Sequence, residues 1–205
     1  DTFHEINGAA LTLRHLAAYA AGNSLPMLCV HSGIESENAR HEQIEYLKLA
    51  GSPFSVPVDH GLSFDPLFLR HYRSVLRKLK AFRPDVIHIT GVNDVSILGV
   101  IAGRKLKVPV VASWHTNLHQ FARSRIESSR LPLPRGLRSA IAKRVEAAIL
   151  RGSLLYHKIP RMVLVPNDEL ASLLRDATGR EVRTIARGFD TKRFSPIKRT
   201  VDDGL

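Results

Sequence analysis

Two kinds of apolar pattern alternate along this chain. Short runs rich in β-branched residues predict buried strands, and they lie at residues 26–31, 55–58, 85–89, 108–112, 162–165 and 182–186. Longer stretches repeat their apolar residues at helical spacing and predict helices at residues 9–21, 64–82, 95–106, 136–157 and 168–177. The polar stretch at residues 35–50 fits neither pattern.

The order of these elements predicts the fold class. Residues 85–112 contain a strand, a helix and a second strand, which together form a βαβ unit. Repetition of this alternation predicts an α/β domain, Rossmann-like and doubly wound, with a mostly parallel sheet between two layers of helices. Because 205 residues suit one large domain better than two, we expect this domain at residues 1–195 and a linker at residues 196–205.

Composition excludes several classes of protein. With 44% hydrophobic and 24% charged residues the chain is typical of globular domains. Its longest apolar stretch, at residues 95–103, is far shorter than the ~20 residues that a membrane-spanning helix needs. The single cysteine, Cys29, has no internal disulfide partner, and the first residues do not resemble a secretory signal. We therefore expect a cytoplasmic location.

The charge of the chain indicates an anionic partner. Thirty Lys and Arg against nineteen Asp and Glu give a net charge of +11, and the excess is concentrated at residues 64–82 and 123–151. Nucleic acid, anionic lipid and sugar nucleotides are all compatible with this charge. Nucleic acid is the weaker alternative, because only 6% of the residues are aromatic and the basic stretches lack stacking platforms.

Ligands of a doubly wound sheet bind at the carboxyl ends of its strands, so the loops there are the candidate sites. Asn7 and Gly8 precede the first helix, whose free N–H groups favour a phosphate. The alternative is structural, with Asn7 capping the helix and Gly8 forming the turn. Neither a GxGxxG nor a P-loop motif is present, so a phosphate site here depends on one glycine.

Histidines supply a second set of candidates. His115 directly follows a strand and could orient or deprotonate a hydroxyl near neutral pH, although a structural role is equally compatible with its position. His115 and His119 are four residues apart, but an HEXXH motif is absent and we expect no metal site. His88 lies within a strand and is expected to be a hydrogen-bonded core residue, while Gly99 and Gly103 predict close packing of a helix on the sheet.

Four segments, in this order and spacing, resemble the amino-terminal half of the family 4 retaining glycosyltransferases, enzymes with a two-lobed B-type fold. They are DTFHEING at residues 1–8, PDVIH at 84–88, VPVVASWHTN at 108–117 and RGFDTKRFSP at 187–196. The resemblance is strongest to GDP-mannose-dependent α-mannosyltransferases and glycolipid glycosyltransferases. It implies transfer of a hexose from a nucleotide diphosphate sugar, GDP-mannose or a UDP-hexose, to a hydroxyl of a lipid or glycan. No cofactor besides this donor is implied.

The resemblance also implies roles for individual residues. They are His115 near the reacting centre, Asn7, Gly8 and Arg187 on the donor side, and Asn93 and Asn117 on the acceptor side. In the family, a strand precedes the equivalent of Asp1 at the centre of the sheet, and a second lobe with most nucleotide contacts follows residue 196. The chain is thus expected to form half of an active site and to be nearly inactive alone.

Relatives that glycosylate lipids dock on anionic membranes through basic and apolar helices of this lobe. The resemblance therefore implies a peripheral position on the inner membrane face, with residues 64–82 and 123–151 as the contact. Two other functions are compatible with the sequence: a basic α/β module that binds nucleic acid, and a catalytically silent docking domain on the same fold.

Overall fold

A computed structural model describes residues 8–33, 35–41, 43–59, 62–129 and 132–185. The first part of this structure is a helix and a small mixed sheet. Helix α1 (Gly8–Gly22) precedes β1 (Met27–Gly33), β2 (Glu37–His41) and β3 (Ile44–Ala50). Strand β3 pairs in parallel with β1 and antiparallel with β2. Burial of Ile44, Leu47 and Leu49 on β3 explains why this central strand forms although the polar residues around it gave no strand signal.

A hairpin and a helix follow the mixed sheet. The hairpin consists of β4 (Val56–Asp59) and β5 (Leu62–Phe64), and helix α2 (Tyr72–Phe82) begins after a 3-10 turn at Phe68–His71. The prediction of one helix over residues 64–82 was therefore wrong in its first half. The reason is local, because the Asp65 carboxylate accepts a hydrogen bond from the Leu67 N–H at 2.9 Å and fixes a turn there.

The second part of the structure is a parallel sheet with the strand order β6–β7–β8–β9. Its elements follow one another along the chain as β6 (Ile87–Ile89), α3 (Asp94–Leu106), β7 (Val110–Ser113), α4 (Leu118–Glu127), α5 (Arg135–Tyr156), β8 (Met162–Val165), α6 (Asp168–Thr178) and β9 (Glu181–Thr184). Repeated β–α–β connections and parallel pairing confirm the expected α/β fold class. Helix α4 was not predicted, because none of its residues is buried and it carries no continuous apolar face.

One hydrophobic core joins the two parts. Leu47 and Leu49 of β3 belong to the same buried cluster as Ile87, Ile89 and Leu98. Within the described residues, β1 pairs with β3 alone and β6 pairs with β7 alone, so each of these two strands has one edge without a strand partner. No helix in the described ranges is long and apolar enough to cross a membrane.

Helix α3 packs unusually closely on the parallel sheet. A Cβ added to Gly103 would lie 2.6 Å from Val110 Cγ2, and one added to Gly99 would lie 3.1 Å from Ile89 Cγ2. This confirms the expectation that the two glycines permit close contact of the helix with the sheet.

Candidate active site

The loops that follow β6 and β7 lie at the same edge of the sheet, because the two strands are parallel neighbours. The loop after β6 contains Gly91 with φ +123°, a backbone conformation that residues other than glycine rarely adopt. The loop after β7 comprises residues 114–117 and carries His115, which is half-buried. These two loops carry three of the expected cleft residues, Asn93 after β6 and His115 and Asn117 after β7.

Trp114 gives the loop after β7 a fixed shape. Its backbone N–H donates to the Leu164 carbonyl of β8 at 2.8 Å. Its indole Nε1–H donates to Asn117 Oδ1 at 2.9 Å, which closes the loop around His115. The Asn117 amide in turn donates to Gln120 Oε1 at 3.0 Å. Because Trp114 is only 5% exposed, the loop is anchored in the core as well as by hydrogen bonds.

Trp114 belongs to a cluster of four rings with His119, Tyr156 and His157. The His157 ring centroid lies 4.9 Å from that of Trp114 at a tilt of 38°, and His119 meets the indole edge-on at 6.3 Å. Tyr156 contacts His157 edge-on at 5.5 Å. Sequence reasoning did not single out His157, because it lies at the end of α5 and no motif connects it with residues 114–117. The buried aromatic cluster is visible only in the folded chain.

The loop after β6 leads into helix α3, whose amino terminus is capped. Asn93 is the N-cap of α3, and its Oδ1 accepts the Ser96 N–H at 2.7 Å. Asp94, at the first position of the helix, is 5% exposed and accepts the Asp65 N–H at 3.2 Å. The start of α3 is thereby attached to the segment that follows β5.

Asp65 organises this attachment. Its carboxylate accepts hydrogen bonds from the Ser52 hydroxyl at 2.6 Å and the Ser52 N–H at 3.0 Å, and it pairs with Arg70. Burial raises the pKa of Asp65, but the hydrogen bonds from Ser52, Arg70 and Leu67 outweigh burial and lower the pKa to about 2. Arg70 also donates to the Ala50 carbonyl, so the ends of β3, β5 and α3 form one hydrogen-bonded unit.

His88 has a hydrogen-bond partner but is not buried in the core as expected. Its Nε2 contacts the Ser113 hydroxyl, which links β6 to the end of β7. The His88 side chain retains solvent exposure because it lies on the opposite face of β6 from Ile87 and Ile89, which pack against α3. The bond joins the two strands directly below the two candidate loops.

The structure places some of the candidate site residues and leaves others undescribed. Asn7 and Arg187 lie outside the described residues, and Gly8 is the first residue of α1. His115 lies in the anchored loop after β7. The side-chain oxygens of Asn93 and Asn117 are both engaged in local hydrogen bonds, and their acceptor-side roles stay predictions. Within the described ranges, no three His, Cys, Asp or Glu side chains come together as a metal site.

The arrangement defines a class of protein. This α/β domain has a histidine and the start of a helix in the loops at the carboxyl edge of its parallel sheet. Enzymes that bind nucleotide ligands at this edge typically have such an arrangement. The family is then established by comparison. Residues 6–193 match the model of Glycosyltransferase Family 4, and the chain belongs to this family.

Individual relatives agree with this assignment. A GDP-mannose-dependent alpha-mannosyltransferase of Mycobacterium tuberculosis is 31% identical over 135 residues, which are 65% of this chain and 31% of the relative. A protein of the same name from Corynebacterium glutamicum is 28% identical over 62% of this chain and 27% of its own length. An alpha-monoglucosyldiacylglycerol synthase of Streptococcus pneumoniae is 22% identical over 94% of this chain and 40% of the relative. The chain thus spans less than half the length of these relatives.

Proposed function

We propose that this chain is the acceptor-side half of a retaining glycosyltransferase that moves a hexose from a nucleotide diphosphate sugar to a hydroxyl group. The observation that carries the proposal is the anchored loop of His115, which follows β7 at the same edge of the parallel sheet as the loop between β6 and α3, in a chain of Glycosyltransferase Family 4. A second, carboxy-terminal lobe would complete the donor site. No cofactor besides the donor is needed for this chemistry.

The names of the relatives support a choice of donor and acceptor. Two relatives are named as GDP-mannose-dependent, which favours GDP-mannose over a UDP-hexose as the donor. The third is named as a synthase of a glucosylated diacylglycerol, which favours a lipid acceptor over a soluble glycan. The proposal therefore combines a mannosyl donor with an acceptor that is presented at a membrane.

Within this proposal, His115 hydrogen-bonds the donor sugar or the acceptor at the reacting centre. In this proposal the backbone of Gly8, at the start of α1, lies beside the donor diphosphate, where free N–H groups favour an anion, and Asn7 is a second donor-side residue. Arg187 adds a cation on the donor side, and Asn93 and Asn117 line the acceptor side. The anomeric configuration is retained, with the leaving phosphate helping to activate the acceptor hydroxyl.

The test of the site requires the two-lobed enzyme. His115→Ala should lower the transfer rate by ten- to a hundredfold, because each tenfold corresponds to about 1.4 kcal/mol of lost transition-state stabilisation. The matched control is His41→Ala on β2, an exposed histidine in the mixed sheet. Transfer of mannose from GDP-mannose is measured against transfer from UDP-glucose. An unchanged rate in His115→Ala would remove this histidine from the site.

We further propose that the domain docks on the inner face of an anionic membrane. Helix α2 exposes Arg73, Arg77 and Lys80, and exposed apolar side chains lie just before it. Leu67 and Leu69 are 48% and 56% exposed, and Phe54 is 68% exposed in the loop before the hairpin. Cations beside exposed apolar residues are the combination by which amphipathic segments bind anionic lipid.

The α4–α5 helix pair is a second candidate contact. Only Ala142 and Ser153 are buried on α5, whereas Leu137 is 50% and Ile141 37% exposed. Arg123 does not contribute free charge to this surface, because it pairs with Glu127 and Glu146. The exposed cations that accompany the apolar residues are Arg135, Lys143, Arg144 and Arg151.

Liposome sedimentation distinguishes the two contacts. The chain should sediment with vesicles of anionic phospholipid and not with neutral vesicles, and added salt should weaken the binding. Replacement of Arg73, Arg77 and Lys80 by Gln tests α2, and replacement of Lys143 and Arg144 tests α5. Equal partitioning onto neutral and anionic vesicles at low and high salt would remove the membrane proposal.

A further inference from the structure

A buried histidine lies directly behind the loop that carries His115. His157 is 1% exposed and packs its ring against the Trp114 indole, with centroids 4.9 Å apart. Trp114 immediately precedes His115, and its indole N–H closes the loop onto Asn117. A single side chain from the end of α5 therefore supports the residue on which the shape of the loop depends.

The hydrogen bond of His157 defines its tautomer. Nδ1 lies 2.7 Å from the Ser153 carbonyl oxygen, and because a carbonyl only accepts, Nδ1 carries the proton. Nε2 is buried and has no hydrogen-bond partner among the described residues. A proton added at Nε2 would place a positive charge in this enclosed space without a carboxylate or carbonyl to receive it. The geometry thus favours a neutral ring.

We propose that His157 is a positioning residue for His115 and acts through Trp114. The neutral imidazole holds the indole in the orientation that donates to Asn117, and the closed loop then presents His115 at the edge of the sheet. This inference rests on the proposed function, because the role that it gives His115 is the catalytic one proposed above. The proposed reaction is unchanged, and His157 is added to it as a residue that does not touch the substrates.

Protonation of His157 is the expected way to disturb this arrangement. Burial lowers the pKa of His157 below its ordinary value of 6.5, and the Ser153 hydrogen bond opposes this only in part. The titratable groups that contact the cluster are Tyr156 on α5 and His119 on α4, and His115 is the next residue along the chain from Trp114. Burial raises the pKa of Tyr156, so this phenol stays neutral across the acid range. The two surrounding histidines are therefore the groups to control for.

The chain has one tryptophan, so its fluorescence reports directly on this cluster. Trp114 emission is titrated between about pH 8 and pH 4 in the 205-residue chain, with circular dichroism confirming that the fold persists at each pH. The wild type should show a transition with a midpoint below 6.5, because an imidazolium against the indole quenches and displaces it. His157→Gln should abolish the transition, while His119→Gln and His115→Gln should each retain it. Persistence of the transition in His157→Gln, or its loss in His119→Gln or His115→Gln, would overturn the inference.

A second arm measures turnover in the two-lobed enzyme. His157→Phe keeps a flat ring against the indole but loses the Ser153 hydrogen bond, and His157→Gln keeps a donor without the ring. Both variants should lower kcat several-fold with little change in the KM for the donor, and the acid limb of the wild-type kcat profile should match the fluorescence midpoint. Unchanged kcat values would refute the positioning role. If the fluorescence results hold but His115→Ala leaves transfer unchanged, the proposed function fails while the support of the loop by His157 stands.

Discussion

Replacement of Gly103 by alanine tests the close contact between α3 and the parallel sheet. Two opposing effects decide the outcome. In a helix interior alanine is favoured over glycine by about 1 kcal/mol. Against this, the new methyl group would lie 2.6 Å from Val110 Cγ2 and 3.3 Å from the Val108 carbonyl oxygen, where carbon contacts normally lie at about 3.5–4.0 Å. Overpacking of this kind costs about 1–3 kcal/mol, so we expect a net loss of about 1 kcal/mol of unfolding free energy.

Gly152→Ala is the matched control. Gly152 is also a helical glycine, but no atom outside its own helix lies within 4 Å of the added Cβ. Only the propensity effect applies there, and the variant should gain about 1 kcal/mol. The two alanine variants should therefore differ by about 2 kcal/mol in urea unfolding and by several degrees in Tm.

A double variant identifies the cause of the loss. In a Val110→Ala background the atom that Gly103→Ala meets is absent, so adding Gly103→Ala there should cost less than it does in the wild type. Unfolding curves of the four proteins give the coupling energy, expected to be about 1 kcal/mol. The packing argument is refuted if Gly103→Ala is as stable as Gly152→Ala, or if the cost is independent of residue 110.

Three further predictions concern other groups of the described structure. Asn93→Ala removes the cap that accepts the Ser96 N–H and should lower the unfolding free energy by about 1 kcal/mol in urea titration, with Asn93→Asp retaining most of it. The pKa of Asp65 is lowered from 3.8 to about 2 in the folded chain, so its contribution to stability is fully present above about pH 4 and is lost as the pH falls toward 2. Asp65→Asn should therefore flatten the acid limb of a plot of Tm against pH. An unchanged acid limb would contradict this prediction. Burial raises the pKa of Cys29 to about 11, so a thiol reagent at about pH 8 should label the folded chain far more slowly than the urea-unfolded chain, and equal rates would show that the strand is open.

Much of the fold could be predicted from the chain because its strands and helices have strong local patterns. The apolar runs of β6, β7 and β8 and the helical spacing of the apolar residues in α3 and α6 are contained in a few consecutive residues. In contrast, β2 and β3 are stabilised by pairing with each other and with β1, and polar residues such as Glu37 and Lys48 form an ion pair across the ladder. Apolar and polar residues alternate in β3 only over short runs such as Leu47, Lys48 and Leu49, and pairing between separate strands adds no local signal, so this region was not predicted.

For the candidate site, the position of His115 after a strand was sufficient to make it a candidate, because carboxyl ends of parallel strands share one edge. Its role there stays a prediction. The side chains that support it, Trp114 and His157, come from different elements and meet only through tertiary packing. Asp65 and Asp94 also meet only through tertiary packing, because they lie far apart in the chain. The sequence thus indicated that the loop with His115 lies at the carboxyl edge of the sheet, but not which residues hold that loop in place.

The hydrogen bond from the Asp65 N–H to the Asp94 carboxylate connects the start of α3 to the segment before α2, so the two segments restrain each other's motion. A ligand that stiffens the start of α3 will restrain the Ser52 and Leu67 amides as well, because both donate to the same Asp65 carboxylate. Slower amide hydrogen exchange at these two positions would therefore report occupancy of the cleft from a distance, without any label placed in the cleft itself.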